Sequence, residues 1–455
     1  HAPPIRFPVK PSPIAYNLNP APRAGSLDLR ASRPIGGTAV QLWQPSLPDT
    51  YYSRDESELA PAITARREQL GDDLIILGHH YQVDEIVRHA DFTGDSLKLS
   101  QLAAEQVKAQ NAKYVIFCGV HFMAESADLL APESTSVILP DLSAGCSMAD
   151  MADYEDAVEA WDLIHDALAK TPHPEGKTVR VIPITYVNST AAVKAFVGMH
   201  HGACCTSSNA DLVFDWAMKG GEEPVKDNEE IKILFLPDQH LGRNTASMFG
   251  FTTEADAPDG KLAQTVLYDP KLTRSGEPLG GMGPDQLMAA RVVLWAGHCS
   301  VHKLFRPEHC DELRENDPDM KILVHPECAK QVVDKADLAG STEFIIRTIE
   351  DAEPGTRWAV GTEIHLVNRL AKAAAERGVF VRILSDCQCL CTTMYRIDEP
   401  HLLWVLDNLA EGKVVNQVKV HPEAKKWAVK ALDRMLKQTR GKAVHAVGKP
   451  AALVD

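Results

Sequence analysis

The chain has no excess of positive charge: 47 Lys and Arg stand against 62 Asp and Glu, a formal net charge of −15. Phosphate backbones and anionic lipid surfaces attract basic footprints, so neither a nucleic-acid partner nor a membrane partner is expected. There is no apolar run of the ~18 residues that a membrane-spanning helix needs. The N-terminal stretch "HAPPIRFPVKPSPIAYNLNP" has no continuous apolar core, so it does not read as a secretory signal. No C-x-x-C pair occurs, which argues against a zinc ribbon. No G-x-x-x-x-G-K-[ST] and no G-x-G-x-x-G occurs either, so a P-loop and a dinucleotide fingerprint are unsupported. Ten cysteines in 455 residues are too sparse for a disulfide scaffold. The expected setting is a reducing cytoplasm, where clustered thiols point to metal binding or catalysis.

What the chain does have is a rhythm. Length alone suggests about three domains of ordinary size. Residues 1–60 are rich in Pro, Gly and Ser, lack periodicity and read as an N-terminal extension. From Asp72 onward, short apolar runs alternate with amphipathic stretches. "DLIILGHHYQ", "KYVIFCGVHF", "SVILPD", "VRVIPITYV", "IKILFLPDQH", "VVLWAGH", "KILVHPE", "RWAVGTE" and "VRILSD" read as strands. Near-continuous apolar strands alternating with helices predict parallel sheets covered on both faces.

Three strand-to-helix units look alike: "LIILGHHYQVDEIVRHADFTGDSL", "VIPITYVNSTAAVKAFVGMHHGACCTSSN" and "KILVHPECAKQVVDKADLAGSTEF". Each closes on a hydroxyl-bearing turn, and the middle copy is the loosest. The last strand of each third then runs into a cysteine, in "VILPDLSAGCSMAD", "VVLWAGHCSVHK" and "VRILSDCQCLCTTM". Parallel α/β units bind ligands beyond the carboxyl ends of their strands. The expected fold is therefore α/β, with three homologous three-layer units and parallel sheets around a pseudo-threefold axis, the thiols at the centre. Expected boundaries are 61–155 plus 400–455 for the first unit, 156–305 for the second and 306–399 for the third. Within the second, residues 245–284 read as an inserted loop or flap. "HPEAKKWAVKALDRMLKQTRG" reads as a packing helix with Trp427, Val429, Leu432 and Leu436 toward one side.

The thiols delivered this way are Cys146, Cys299 and Cys391. Three thiolates from three separate strand ends suit an iron–sulfur cluster better than zinc, whose structural sites usually take two close ligand pairs. A [4Fe–4S] cluster on three cysteines leaves one iron open as a Lewis acid. Cys391 is preferred within its run because the C-x-x-M that follows parallels C-x-x-A after Cys146 and C-x-x-H after Cys299. Cys387 and Cys389 are left as spare thiols or an oxidisable pair. Cys118, Cys204, Cys205, Cys310 and Cys328 are expected to be small core residues.

Polar residues recur at the strand ends. His79 and Tyr81 lie in "GHHYQ", Tyr186 in "TYVN", and His325 and Glu327 in "HPE". His302 follows Cys299 by three positions and is expected near the metal. Histidines are proton shuttles, tyrosines donate to developing oxyanions, and Glu327 is a candidate base if a dry site raises its pKa. The turns "GDS", "TSSN" and "GST" precede helices. Hydroxyls at helix N-termini bind carboxylates and phosphates, though each is first of all an N-cap. Three in register suggest a polyanionic substrate.

Taken together, "HHYQ", "GDSL", "CGVHFMAESADLL", "PDLSAGCSMAD", "TYVNSTAAVKA", "CTSSNA", "PDQHLGRN", "WAGHCSVH", "HPEC", "GST", "VGTEIHLVNRL" and "CTTM" resemble the quinolinate synthase family over Leu74 to Leu406. The resemblance implies three α/β domains around a central [4Fe–4S] cluster, in de novo NAD biosynthesis. It implies condensation of iminoaspartate with dihydroxyacetone phosphate to quinolinate, with release of phosphate and water. An aspartate oxidase or dehydrogenase is then the expected functional partner. Carried over by motif, the cluster ligands are Cys146, Cys299 and Cys391. The site residues are His79, Tyr81, Ser96, Tyr186, Asn188, Ser207, His302, His325, Glu327, Ser341 and Thr342, with Tyr81, His325 and Glu327 close to the proton transfers. The arm, the insertion and the alternate-cysteine run depart from the family pattern. An iron–sulfur hydro-lyase for a small carboxylate is the alternative, and it would not need the three hydroxyl turns.

Overall fold

The apolar runs become strands because their side chains can be covered on both faces. In Leu74–His79 all six residues are buried, and in Thr178–Tyr186 the last six are. The structure, a computed structural model, describes residue 44, residues 46–386 and residues 388–439. Most of the expected N-terminal extension, and Cys387, lie outside the described residues. No described helix is long and apolar enough to cross a membrane.

In chain order the described strands are β1 (Leu74–His79), β2 (Phe92–Gly94), β3 (Tyr114–Cys118), β4 (Ser136–Ile138), β5 (Thr178–Tyr186), β6 (Ala203–Cys205) and β7 (Glu229–Leu236). They continue as β8 (Thr265–Tyr268), β9 (Val292–Trp295), β10 (Lys321–Val324), β11 (Leu338–Ala339), β12 (Arg357–Gly361), β13 (Phe380–Ile383) and β14 (Gln417–Val418). All nine strands expected from the sequence are present. They lie in three sheets, ordered β14-β4-β3-β1-β2, β6-β5-β7-β9-β8 and β11-β10-β12-β13.

Without β8 and β14, each sheet has one topology: second strand, first, third, fourth. All pairings within those three cores are parallel. The chain is thus α/β, built from three parallel-sheet units of the same design. The order reverses beside the first strand of each unit, and at such a switch point the flanking loops part to leave a crevice at the carboxyl ends.

The second strands β2, β6 and β11 fall in stretches that read as turns. At two or three residues they are too short to carry a periodicity. The segment 245–284 differs more from its expected loop. Its Thr265–Tyr268 run joins the sheet parallel to β9, and Tyr268 packs against Trp295 with ring centroids 5.3 Å apart. A β-branched run flanked by Gly, Pro and charge was masked by its neighbours. Between residues 46 and 60 the chain is also ordered into the helix Asp49–Tyr52 and the start of the helix Glu56–Leu70. That region packs on the helix Glu399–Ala410: Tyr51 and Arg66 both donate to the Asp407 carboxylate, at 2.9 and 2.6 Å.

The helix Pro422–Thr439 lies on the second unit. Its buried face is Ala424, Ala428, Ala431, Leu432 and Met435, and of the expected stripe Leu432 is fully buried while Trp427, Val429 and Leu436 pack partly buried against the same core. Small residues win because the partner helix Ala191–Met199 comes very close: a Cβ on Gly198 would sit 2.0 Å from the Trp427 carbonyl oxygen. Arg434 closes the contact by donating to the Gly198 and Gly202 carbonyls at 3.0 and 2.8 Å.

Candidate active site

Each unit sends polar residues past the carboxyl end of its first strand. His79 ends β1, Tyr186 ends β5 and His325 follows β10. Two of these ends share one hook. The Tyr81 N–H donates to His79 Nδ1 at 3.1 Å, and the Glu327 N–H donates to His325 Nδ1 at 3.2 Å. With Nδ1 accepting, each neutral ring carries its proton on Nε2.

The three cysteines are framed alike. In each unit the first residue of the helix after the third strand donates its N–H to the carbonyl two residues before the cysteine. The pairs are His121 to Ala144 (2.9 Å), Gln239 to Gly297 (3.0 Å) and Ile364 to Cys389 (3.1 Å). Each cysteine carbonyl then accepts from the N–H four residues on: Asp150 to Cys146 (3.0 Å), Lys303 to Cys299 (3.1 Å) and Tyr395 to Cys391 (3.0 Å). A turn of 3-10 helix begins three residues after each, at Ala149, His302 and Met394. Cys391 therefore occupies the position of Cys146 and Cys299. Cys389 occupies the position of Ala144 and Gly297 and is fully buried in the third unit's core. Cys118, Cys204, Cys205, Cys310 and Cys328 are also fully buried, as expected of core residues.

One cavity draws its walls from all three units. The first contributes His79, Tyr81, Ser96 and Cys146; the second Tyr186, Asn188, Ser207, Cys299 and His302; the third His325, Glu327, Thr342 and Cys391. Phe122, Met123, Met148, Val187 and Met394 supply apolar wall. Ser341 alone of the candidates is not a wall residue. It is fully buried, and its Oγ accepts the Phe344 N–H at 3.3 Å, capping the helix Thr342–Glu350. Asp95, Thr206 and Thr393 line the cavity without having been singled out. Thr362, buried just behind it, was also missed. Its Oγ1 lies 2.9 Å from the Tyr81 hydroxyl and 3.2 Å from His302 Nε2. The only signal for it was a hydroxyl following an apolar strand.

A tight polar group crosses the unit boundaries. His302 Nδ1 lies 2.8 Å from Glu327 Oε2, and the His302 and His325 rings stack at 4.5 Å. The Tyr81 hydroxyl reaches Thr342 Oγ1 at 3.1 Å. The Tyr186 hydroxyl bonds to Glu327 and Ser207. Burial pushes the Glu327 carboxyl up, but His302 beside it, with hydrogen bonds from His302 and Tyr186, outweighs this and holds it well below the carboxylate range. The dry site thus does not raise Glu327, because its neighbours favour the anion. Burial pushes His79 and His325 down to about 3, with His80 opposing the charged His79 and His302 the charged His325. It pushes the Tyr81 and Tyr186 hydroxyls well above their usual range, and the Glu327 charge adds to this. Burial also raises the thiols, Cys146 to about 12, so a thiolate here depends on metal charge.

A family model described as Quinolinate synthetase A protein matches residues 62–437. The chain belongs to the quinolinate synthase family. A quinolinate synthase of Acidobacterium capsulatum is 51% identical over 388 residues, which is 85% of this chain and 95% of that protein. One of Rhodopirellula baltica is 45% identical over 411 residues, 88% of this chain and 95% of that protein. One of Streptomyces coelicolor is 44% identical over 421 residues, 92% of this chain and 97% of that protein. As a quinolinate synthase family member, the chain is an enzyme.

The residues present fit a metal cluster. Three thiols, none of them in a disulfide, stand at the ends of equivalent frames and line one cavity. A set for a single ion also exists, since donor atoms of Cys299, His302 and Glu327 lie within 4.8 Å of one another. The three-thiol set accounts for more. His302 and Glu327 already satisfy each other at 2.8 Å, and a single ion on that set would leave Cys146 and Cys391 unused.

Proposed function

We propose that the chain condenses iminoaspartate with dihydroxyacetone phosphate to quinolinate, releasing phosphate and water, in de novo NAD biosynthesis. In this reading Cys146, Cys299 and Cys391 hold a [4Fe–4S] cluster. When bound, such a cluster supplies an iron free of protein thiolate, able to act as a Lewis acid on a substrate oxygen or nitrogen. The observation that carries the reading is the equivalent framing of three cysteines around one cavity whose other walls bear imidazoles, phenols and hydroxyls. The sum is redox-neutral, so the site needs proton carriers and anion donors rather than an outside oxidant.

The chain's own residues divide that work. His79 and His325, neutral at physiological pH, can donate a hydrogen bond from Nε2 and so polarise an imine or a leaving hydroxyl. Glu327 stays anionic and fixes the orientation of His302. Tyr81 and Tyr186 stay protonated and act as donors to developing negative charge. Ser96, Ser207, Asn188 and Thr342 offer neutral donors to carboxylates and phosphate. Ser96 and Thr342 do so from the first residue of a helix, where free N–H groups add to the pull. Ser341 supports Thr342 through its cap. Burial keeps bulk water from a reactive imine.

The reading places the enzyme in the cytoplasm, where thiols stay reduced, downstream of an oxidase or dehydrogenase acting on aspartate. The test is a product assay on anaerobically purified chain. Quinolinate should form only with both iminoaspartate and dihydroxyacetone phosphate, with phosphate released in equal amount. Loaded chain that makes no quinolinate, or that dehydrates a small carboxylate instead, overturns the reading.

A further inference from the structure

The three cysteine frames differ in one respect. The N-cap residue of the helix after the third strand is Val120 in the first unit, Asp238 in the second and Glu363 in the third. These three positions are equivalent, since the next residue in each makes the same bond to the carbonyl two before the cysteine. Asp238 and Glu363 are both fully buried. One oxygen of each caps its helix: Asp238 Oδ1 accepts the Leu241 N–H at 2.7 Å, and Glu363 Oε2 accepts the His365 and Leu366 N–H groups at 2.8 and 3.3 Å.

The second oxygen is the informative one. Asp238 Oδ2 accepts the N–H of Cys299 itself at 3.2 Å. Glu363 Oε1, on the residue that takes the place of Asp238 in the third unit, is buried with no hydrogen-bond partner. Its closest cationic candidate, His365 Nε2, stands 4.0 Å away, beyond hydrogen-bond reach. An unpaired buried carboxyl oxygen is costly, and Glu is not a favoured N-cap residue. A capping role alone does not explain why Glu363 buries a second oxygen.

We infer that Asp238 and Glu363 are positioning residues for the metal ligands. Asp238 holds a ligand cysteine by its backbone N–H, and Glu363 Oε1 makes the equivalent bond to the Cys391 N–H when the thiolate is engaged by the cluster. This rests on the cluster reading above. The first unit lacks the device because Val120 has no side-chain acceptor, so the backbone bond from His121 to Ala144 has no carboxyl beside it there.

Glu363→Ser separates clamp from cap. Ser is a good N-cap, but its single side-chain oxygen leaves none for Cys391 once it caps the helix. Iron release to a ferrous chelator would be timed anaerobically for wild type, Glu363→Ser, Glu363→Gln and Asp238→Asn. Asp269→Ala serves as the control; it deletes an N-cap on the helix Pro270–Arg274 whose carboxyl accepts the Lys271 N–H. Thermal midpoints of the metal-free forms would be read alongside, with the spectrum of the reduced cluster. Glu363→Ser should keep the wild-type midpoint, release iron at least about tenfold faster and shift the spectrum. Glu363→Gln and Asp238→Asn, which keep an acceptor oxygen, should hold iron better than Glu363→Ser, and Asp269→Ala should match wild type. If Glu363→Ser releases iron as slowly as wild type with an unchanged spectrum, the carboxyl is a cap and nothing more. A wild-type chain that takes up no iron and sulfide overturns the cluster reading itself, and this inference with it.

Discussion

Replacing Glu327 by Gln removes one negative charge from the centre of the site and changes almost no volume. In the native chain Glu327 Oε2 lies 2.8 Å from His302 Nδ1, with the side chains 3% and 1% exposed, and the carboxyl also takes a hydrogen bond from Tyr186. Turning a charge-assisted bond into a neutral one should lower stability by about 1–2 kcal/mol. Glu327→Ala, which leaves His302 and Tyr186 facing an empty acceptor position, should lose about 3–5 kcal/mol. Turnover should suffer more than stability. Without the anion, His302 loses its orientation, and proton transfer of this kind contributes factors of about 10² to 10⁴. The assay is quinolinate formation by anaerobically loaded Glu327→Gln, with iron measured on the same sample and a urea titration beside it. Iron should stay at the wild-type level while turnover falls at least about a hundredfold. Full turnover would remove Glu327 from the proton chemistry. Loss of iron together with turnover would instead make Glu327 a metal ligand and favour the single-ion set.

Two further perturbations test the frame. Gly198→Ala places a Cβ 2.0 Å from the Trp427 carbonyl. Overpacking of about 1–3 kcal/mol should outweigh a helix-propensity gain of about 1 kcal/mol, so the urea midpoint should fall; an unchanged midpoint contradicts the close docking of the last helix. His200 packs at a tilt against the Trp161 and Phe196 rings, and burial pushes its pKa from 6.5 down to about 4. The unfolded chain takes up that proton first, so stability should fall as pH drops from 6.5 toward 4. Relative to wild type, His200→Gln should be spared about 1–2 kcal/mol of that loss, allowing for partial exposure. Parallel pH profiles for the two chains would refute it.

Much of this architecture was legible in the letters because the units repeat. Strands buried on both faces announce themselves as apolar runs, and the last strand of each unit leads to a cysteine, eight residues on in the first and third units and four in the second. Legibility failed where an interaction crosses between units or depends on the backbone. Nothing in "VGTE" says that Thr362 bridges Tyr81 to His302, or that Glu363 caps its helix with one oxygen and buries the other without a partner. Glu327 was a candidate base on the condition that a dry site raised its pKa, and the His302 imidazole that reverses the direction is 25 residues away in the chain. Ser341 and Thr342 are neighbours with different fates, because a helix start turns one hydroxyl onto the backbone and the next into the cavity. The Thr265–Tyr268 strand was hidden by the Gly, Pro and charge around it. The choice of Cys391 over Cys389 rested on a weak three-residue parallel, and the backbone frame supplies a stronger physical reason for it.

The central claim is that Cys146, Cys299 and Cys391 together hold an iron–sulfur cluster. It is tested most directly by iron and acid-labile sulfide in anaerobically purified wild type, each of the three Cys→Ser variants and Cys389→Ser. The account predicts about four of each per chain in wild type and in Cys389→Ser, and loss in Cys146→Ser, Cys299→Ser and Cys391→Ser. Iron without sulfide, zinc in place of iron, or a full complement in Cys391→Ser would contradict it.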